Sequence, residues 1–118
     1  MKKIILTIMI LFLTGCSSIS KTGVITYNDA LKLINDNGAI IIDVRTETEY
    51  NEGHIDNAVL MTLDTINESV AKDKIKNKET YVILYCRSGN RSKQAQEILN
   101  ELGYTNVYNL GSINNWEK

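Results

Sequence analysis

The chain has 118 residues, of which 43% are hydrophobic and 23% charged, with 7 Gly and no Pro. That is ordinary composition for one small globular domain, and it excludes collagen-like, disulfide-scaffold and intrinsically disordered classes. Thirteen basic against 14 acidic side chains leave a formal charge of −1, without the cationic excess that grips a phosphate backbone, so no nucleic-acid partner is expected.

The first residues read as an address. Met1-Lys2-Lys3 is positive, and Ile4 to Leu13 is apolar apart from Thr7. The run is shorter than the roughly 20 residues a helix needs to cross a hydrocarbon core, and its layout is that of a secretory signal peptide. Leu13-Thr14-Gly15-Cys16 resembles the lipobox of bacterial lipoproteins. The resemblance implies a lipoprotein signal peptide over residues 1–15, cleavage before Cys16 and acylation of Cys16. Residues 16–22, with Ser17, Ser18 and Ser20, then form a polar tether, and residues 23–118 the domain. The expected location is extracytoplasmic, held by lipid to a bacterial membrane. Loss of Lys2 and Lys3 leaves 11 basic against 14 acidic groups, and Cys86 becomes the only free thiol, without an intramolecular disulfide partner.

Thr26 followed by Asp29 predicts a helix N-cap with an acidic third position. Ala30, Leu31, Leu33 and Ile34 give one apolar face, and Asn37-Gly38 a stop. Ala39 to Ile42 is a continuous apolar run ending in Asp43, as suits a strand buried on both faces. The polar stretch Thr46 to Glu52 predicts one or two helical turns closed by Gly53. Ala58 to Met61 reads as a short second strand, and Ile66, Val70 and Ile75 as the apolar side of a surface helix. Thr80 to Tyr85 is β-rich and apolar, the central strand. A helix follows from Ser92 to Leu102, with Ala95, Ile98, Leu99 and Leu102 on one side, and Thr105 to Asn109 is the last strand. Alternating strands and helices imply an α/β fold with a mostly parallel sheet and helices on both faces.

The central strand runs into Cys86-Arg87-Ser88-Gly89-Asn90-Arg91 before Ser92 opens the next helix. Ligand sites in open α/β sheets form at the carboxyl ends of strands. A short loop there turns its N–H groups inward as an anion-binding concavity, and the helix N-terminus adds about half a positive charge. Gly89 lets the backbone turn, while Arg87 and Arg91 add fixed charge. Such surroundings lower a cysteine pKa from about 8.5 to between about 3.5 and 7.5. The sulfur is therefore expected to be negative and open to small anions. An inert core Cys is the alternative, but it needs neither Gly nor two Arg within the next five positions. Two Cys and one His cannot assemble a multi-ligand zinc or iron–sulfur site, so no metal and no cofactor is expected.

Cys86 to Ser92 resembles the active-site loop of single-domain rhodaneses, the thiosulfate sulfurtransferase family. Asp43-Val44-Arg45, through Glu49-Tyr50, to Gly53-His54-Ile55 and Ala58 resembles that family's upstream motif. Gly103-Tyr104, Asn106-Val107-Tyr108 and Leu110-Gly111 with Trp116 resembles its closing segment. The chain departs from the pattern at Asp56-Asn57, where a Pro-Gly pair is usual, and at Gly111-Ser112, where a Gly pair is usual.

The resemblance implies a rhodanese-like three-layer domain that moves sulfane sulfur through a persulfide on Cys86. It assigns donor binding to Arg87, Ser88, Gly89, Asn90, Arg91 and Ser92, with the two Arg steering, and bracing of the site to an ion pair between Asp43 and Arg45. The implied partners are a small anionic sulfur donor and a thiol or cyanide acceptor. A non-catalytic membrane-tethered persulfide carrier or sulfur-binding module would need the same loop, and only turnover separates these from an enzyme. Cysteine-dependent phosphatases and arsenate reductases carry Arg six positions after Cys, where this chain has Ser92. His54 reads as a hydrogen-bonded structural residue, and Tyr81, Tyr85 and Trp116 as packing. Lys72, Lys74, Lys76 and Lys78, interleaved with Asp73 and Glu79, read as a solvated face.

Overall fold

A computed structural model describes residues 19–117. The expected signal peptide and the lipidation site at Cys16 lie outside the described residues. Four parallel strands form one sheet in the order β2-β1-β3-β4. They are β1 (Ile40–Asp43), β2 (Val59–Leu60), β3 (Val82–Cys86) and β4 (Val107–Ser112). The helices are α1 (Tyr27–Asn37), α2 (Glu47–Glu52), α3 (Glu68–Lys74) and α4 (Asn90–Glu101). This is the α/β arrangement that the alternating pattern implies.

Parallel strands must be covered on both faces, and β3 shows how the sequence meets that demand. All five of its residues are buried. Val82, Leu84 and Cys86 join Ile42, Val44, Ala71, Ala95 and Leu99 in the core beneath α3 and α4. Ile83 and Tyr85 point the other way, into a second core with Ala30, Leu33, Ile41 and Leu110 beneath α1. Three layers result, and Cys86 ends its strand on the α4 side.

Local signals set the element ends. Thr26 and Asp29 form a capping box on α1, and Thr46 and Glu49 form another on α2; such caps contribute about 1 kcal/mol each. The predicted third helix forms as α3, whose cap Asn67 accepts from the Val70 amide, and an unpredicted 3-10 turn at Leu63–Thr65 precedes it. Asn57, at the position of the usual glycine, holds φ 71°. Asn tolerates that left-handed conformation better than other side chains.

The last strand runs further than predicted, to Ser112, because it carries one extra residue. Leu84 pairs with Asn109 and Tyr85 with Gly111, leaving Leu110 as a bulge. Gly111 sits there at φ 82°, and a Cβ on it would meet Val24 at 3.2 Å. The outer edge of β4 is covered by the segment that enters the domain. Val24 bridges to Asn109 in parallel, and the Ile25 amide donates to Asn109 O at 2.9 Å. Lys21 Nζ donates to Thr105 O at 2.8 Å, and Gln96 Nε2 donates to Lys21 O at 2.9 Å. Ile19 packs against the second core. The chain is thus already docked from Ile19 onward, inside the stretch read as tether.

Candidate active site

Cys86 closes β3, and three residues later the chain is helical, since α4 begins at Asn90 and not at Ser92. Gly89 is the N-cap, with φ 104° and no side-chain cap. That positive φ reverses the backbone tightly enough to start the helix two residues early, and it aims the freed amides at one atom. The Gly89 amide donates to Cys86 Sγ at 2.9 Å and the Ser92 amide at 3.4 Å. Ser92 Oγ lies 3.5 Å from Sγ and donates to Gly89 O at 3.1 Å. Burial works against ionisation of this thiol. Hydrogen bonds from the Ser92 side chain, then from the amides of Ser92, Gly89 and Ser88, outweigh it, and the pKa falls below its ordinary value.

One expectation is corrected. Cys86 is fully buried and not open to small anions. A loop of three residues leaves no gap, so the Gly89 peptide closes directly over the sulfur. Ser88 and Asn90 are exposed on the outside of the turn, and Ser92 is buried.

The two loop arginines are also not free charges. Arg91 reaches both carboxylate oxygens of Glu49, at 2.8 and 3.1 Å, and Arg87 Nε reaches Oε2 at 3.0 Å. Glu49 is itself pinned by the amide and hydroxyl of Thr46, at 3.1 and 3.0 Å. The Arg91 hydrogen bonds foremost, against an opposing desolvation, hold its carboxyl well below the usual carboxylate range. Glu49 therefore ties the first turn of α2 to the cysteine loop. Its signal was present in the sequence as the third residue of the Thr46 capping box, though spacing alone does not point it across to Arg87 and Arg91. Beside Arg91 lies a cavity of about 180 Å³, lined also by Val44, Arg45, Thr46, Thr62, Leu63 and Asp64.

Beneath the loop, Asp43 and Arg45 pair through Nε at 3.0 Å and Nη2 at 2.7 Å, both residues buried. Arg45 Nη2 also donates to Gly53 O at 2.6 Å. Tyr85 OH donates to Asp43 Oδ2 at 2.7 Å and accepts from the Ile55 amide at 3.1 Å. Burial first, then the Asp43 bond, raise the Tyr85 phenol above its ordinary pKa, so it stays a donor. Sequence reasoning treats Tyr85 as packing only; its hydroxyl joins three elements behind the cysteine strand. Among the described residues every buried side-chain N or O atom has a partner. His54 is exposed, donates from Nδ1 to Tyr50 O at 2.8 Å and stacks on the Tyr50 ring; it has no part in the sulfur site.

Comparison with known proteins gives one consistent match. A sequence profile described as the Rhodanese-like domain matches residues 26–118. A thiosulfate sulfurtransferase (PspE) of Escherichia coli strain K12 is 39% identical over 72 residues, covering 61% of this chain and 68% of that protein. A tRNA uridine(34) hydroxylase of Hamiltonella defensa is 37% identical over 82 residues, but the match spans 23% of that longer protein. Among solved structures, a rhodanese with anions from E. coli superposes with a TM-score of 0.62 at 35% identity, over 67% of this chain and 92% of that one.

Proposed function

Because the chain belongs to the rhodanese-like domain family, whose members it resembles include a thiosulfate sulfurtransferase, we propose that it transfers sulfane sulfur through a persulfide on Cys86. The Cys86 thiolate attacks the outer sulfur of thiosulfate or a related donor. The new S–S bond forms as the donor S–S bond breaks, and its electron pair leaves with sulfite. A nucleophilic acceptor, cyanide or a thiol, then takes the outer sulfur and returns Cys86 to thiolate. No general base is required, because the lowered thiol pKa favours the thiolate and sulfite leaves well. The amides of Gly89 and Ser92 stabilise the anion on either sulfur, as preorganised donors do.

The observation that carries this reading is the convergence of those two amides on one sulfur at a strand's carboxyl end, with Ser92 Oγ 3.5 Å away. Because Cys86 is covered, donor access requires the Arg87–Gly89 turn to lift. Treatment with thiosulfate adds the mass of one sulfur atom to the peptide containing Cys86, and Cys86→Ser adds none. Sulfur found elsewhere, or an active Cys86→Ser variant, overturns the assignment.

The burial of Cys86 also favours a second reading, a carrier that holds persulfide for delivery to a partner. Release of thiocyanate at many turnovers per chain supports the enzyme, and a single stoichiometric release supports the carrier. In either case the protein works at a membrane surface, through lipid on Cys16. Retention of detergent partitioning by Cys16→Ala would count against that anchor.

A further inference from the structure

We propose that the domain lies on the membrane with the N-terminal end of its sheet against the lipid headgroups and the Cys86 loop turned to the aqueous side. The proposal rests on the reading of Cys16 as the lipid anchor and goes beyond it by fixing an orientation. Only Ser17 and Ser18 separate Cys16 from Ile19. Three Cα steps reach about 11 Å at most, only a few Å beyond the roughly 5–8 Å depth of one headgroup layer. Ile19 is not loose. It borders a cleft formed with Lys32, Leu33, Asp36, Tyr81 and Tyr108, all at the end where the strands begin.

From there the chain is fixed to the domain at Lys21, Val24 and Ile25, running parallel to β4. A short link joined to a docked segment cannot act as a swivel. Because all four strands are parallel, one end of the sheet holds the link and the opposite end holds Cys86. From Tyr81 to Cys86 the strand climbs about 17 Å, away from the bilayer.

Charge does not set this pose. Lys21, Lys32, Lys74 and Lys76 at the lower end outnumber Asp36 and Glu79 by only two, so chain reach decides, and anionic lipid reinforces the pose weakly. The consequence concerns substrate class: sulfur donors and acceptors arrive from water, and a donor embedded in the lipid cannot reach Cys86.

The test uses the full, lipidated protein in phosphatidylcholine vesicles carrying a nitroxide on the headgroup. A fluorophore is placed on Asn77→Cys or on Ser88→Cys, in a Cys86→Ser background. Quenching is expected to be several-fold stronger at position 77 than at 88. A second exposed pair, Lys76→Cys and Asn90→Cys, gives the same ordering should either first variant fail to fold. Adding phosphatidylglycerol keeps the stronger quenching at position 77, and a flexible insert of about ten Gly-Ser residues before Ile19 brings the ratio to one. Intact mass reports the anchor separately. Absence of lipid on Cys16 sinks the anchor and the orientation together. Lipid present with equal quenching, or with stronger quenching at position 88, sinks the orientation alone.

Discussion

Glu49 and Arg91 face each other in a two-oxygen pair, one on the first turn of α2 and the other on the first turn of α4. Each element presents its helix start to the other, so the carboxylate neutralises the cationic mouth of the cysteine loop. A dianionic donor must compete with Glu49 for the same guanidinium. Glu49→Gln keeps an acceptor for the Thr46 amide but removes the charge. KM for thiosulfate is expected to fall and to become more salt-dependent. Stability is expected to drop by about 1 kcal/mol, small because Arg91 is about a third exposed and the pair is screened. A raised KM would show that Glu49 orders the loop more than it blocks it.

The pKa of Cys86 is lowered, so the thiolate is fully present above the folded-state pKa and is lost as pH falls through it. The rate of persulfide formation is therefore expected to level off at a lower pH than it does for an unperturbed cysteine thiol. Ser92→Ala removes the largest of the lowering contributions and moves the profile to higher pH. Single-turnover rates, together with thiolate absorbance, check the shift. An unmoved profile would leave the amides as the sole source of the effect.

Asp43→Asn leaves the buried Arg45 without its counter-charge. Removing one partner of a buried pair costs about 3–5 kcal/mol, and chemical denaturation should register a loss near the lower figure, since Gly53 O still accepts from Arg45. The double variant that combines Asp43→Asn with Arg45→Met should lose less than Asp43→Asn alone, because no unpaired charge then remains buried.

Gly89→Ala places a side chain at φ 104°, with its Cβ 3.5 Å from Gly111 Cα. The contact is ordinary but the backbone is not, and strain of about 1–3 kcal/mol is expected. As the turn relaxes, the amide moves off the sulfur, so Gly89→Ala should raise the thiol pKa as well as lower the melting temperature. Lowered stability with an unchanged pKa would detach Gly89 from the electrostatics.

The fold is legible because its signals are local. Apolar runs of four to six residues, two Thr capping boxes and a Gly after each long helix mark the order and type of the elements, with ends displaced by up to three residues. The start of α4 falls two residues before its sequence signal because a φ near 100° at Gly89 is a tertiary outcome. The end of β4 escapes the sequence because a bulge at Leu110 is a matter of register with β3, which no single segment encodes. The same division holds for the site. Asp43 and Arg45 stand two apart at one strand end, so their pairing can be read. The link from Glu49 to Arg91 spans 42 positions, and the hydroxyl of Tyr85 reaches Asp43 across the sheet. Cover over Cys86 is a property of loop shape, and composition alone gives no account of it.

That cover has a chemical consequence. A sulfur with no surface to offer does not age at the pace set by the peroxide or disulfide around it. Its lifetime is set by how often one short turn opens, a local excursion whose frequency depends on nearby contacts and not on global unfolding. Under the proposed sulfur transfer, the turn that admits a donor also meters every oxidant, so a change that speeds transfer by loosening it shortens the working life of the protein.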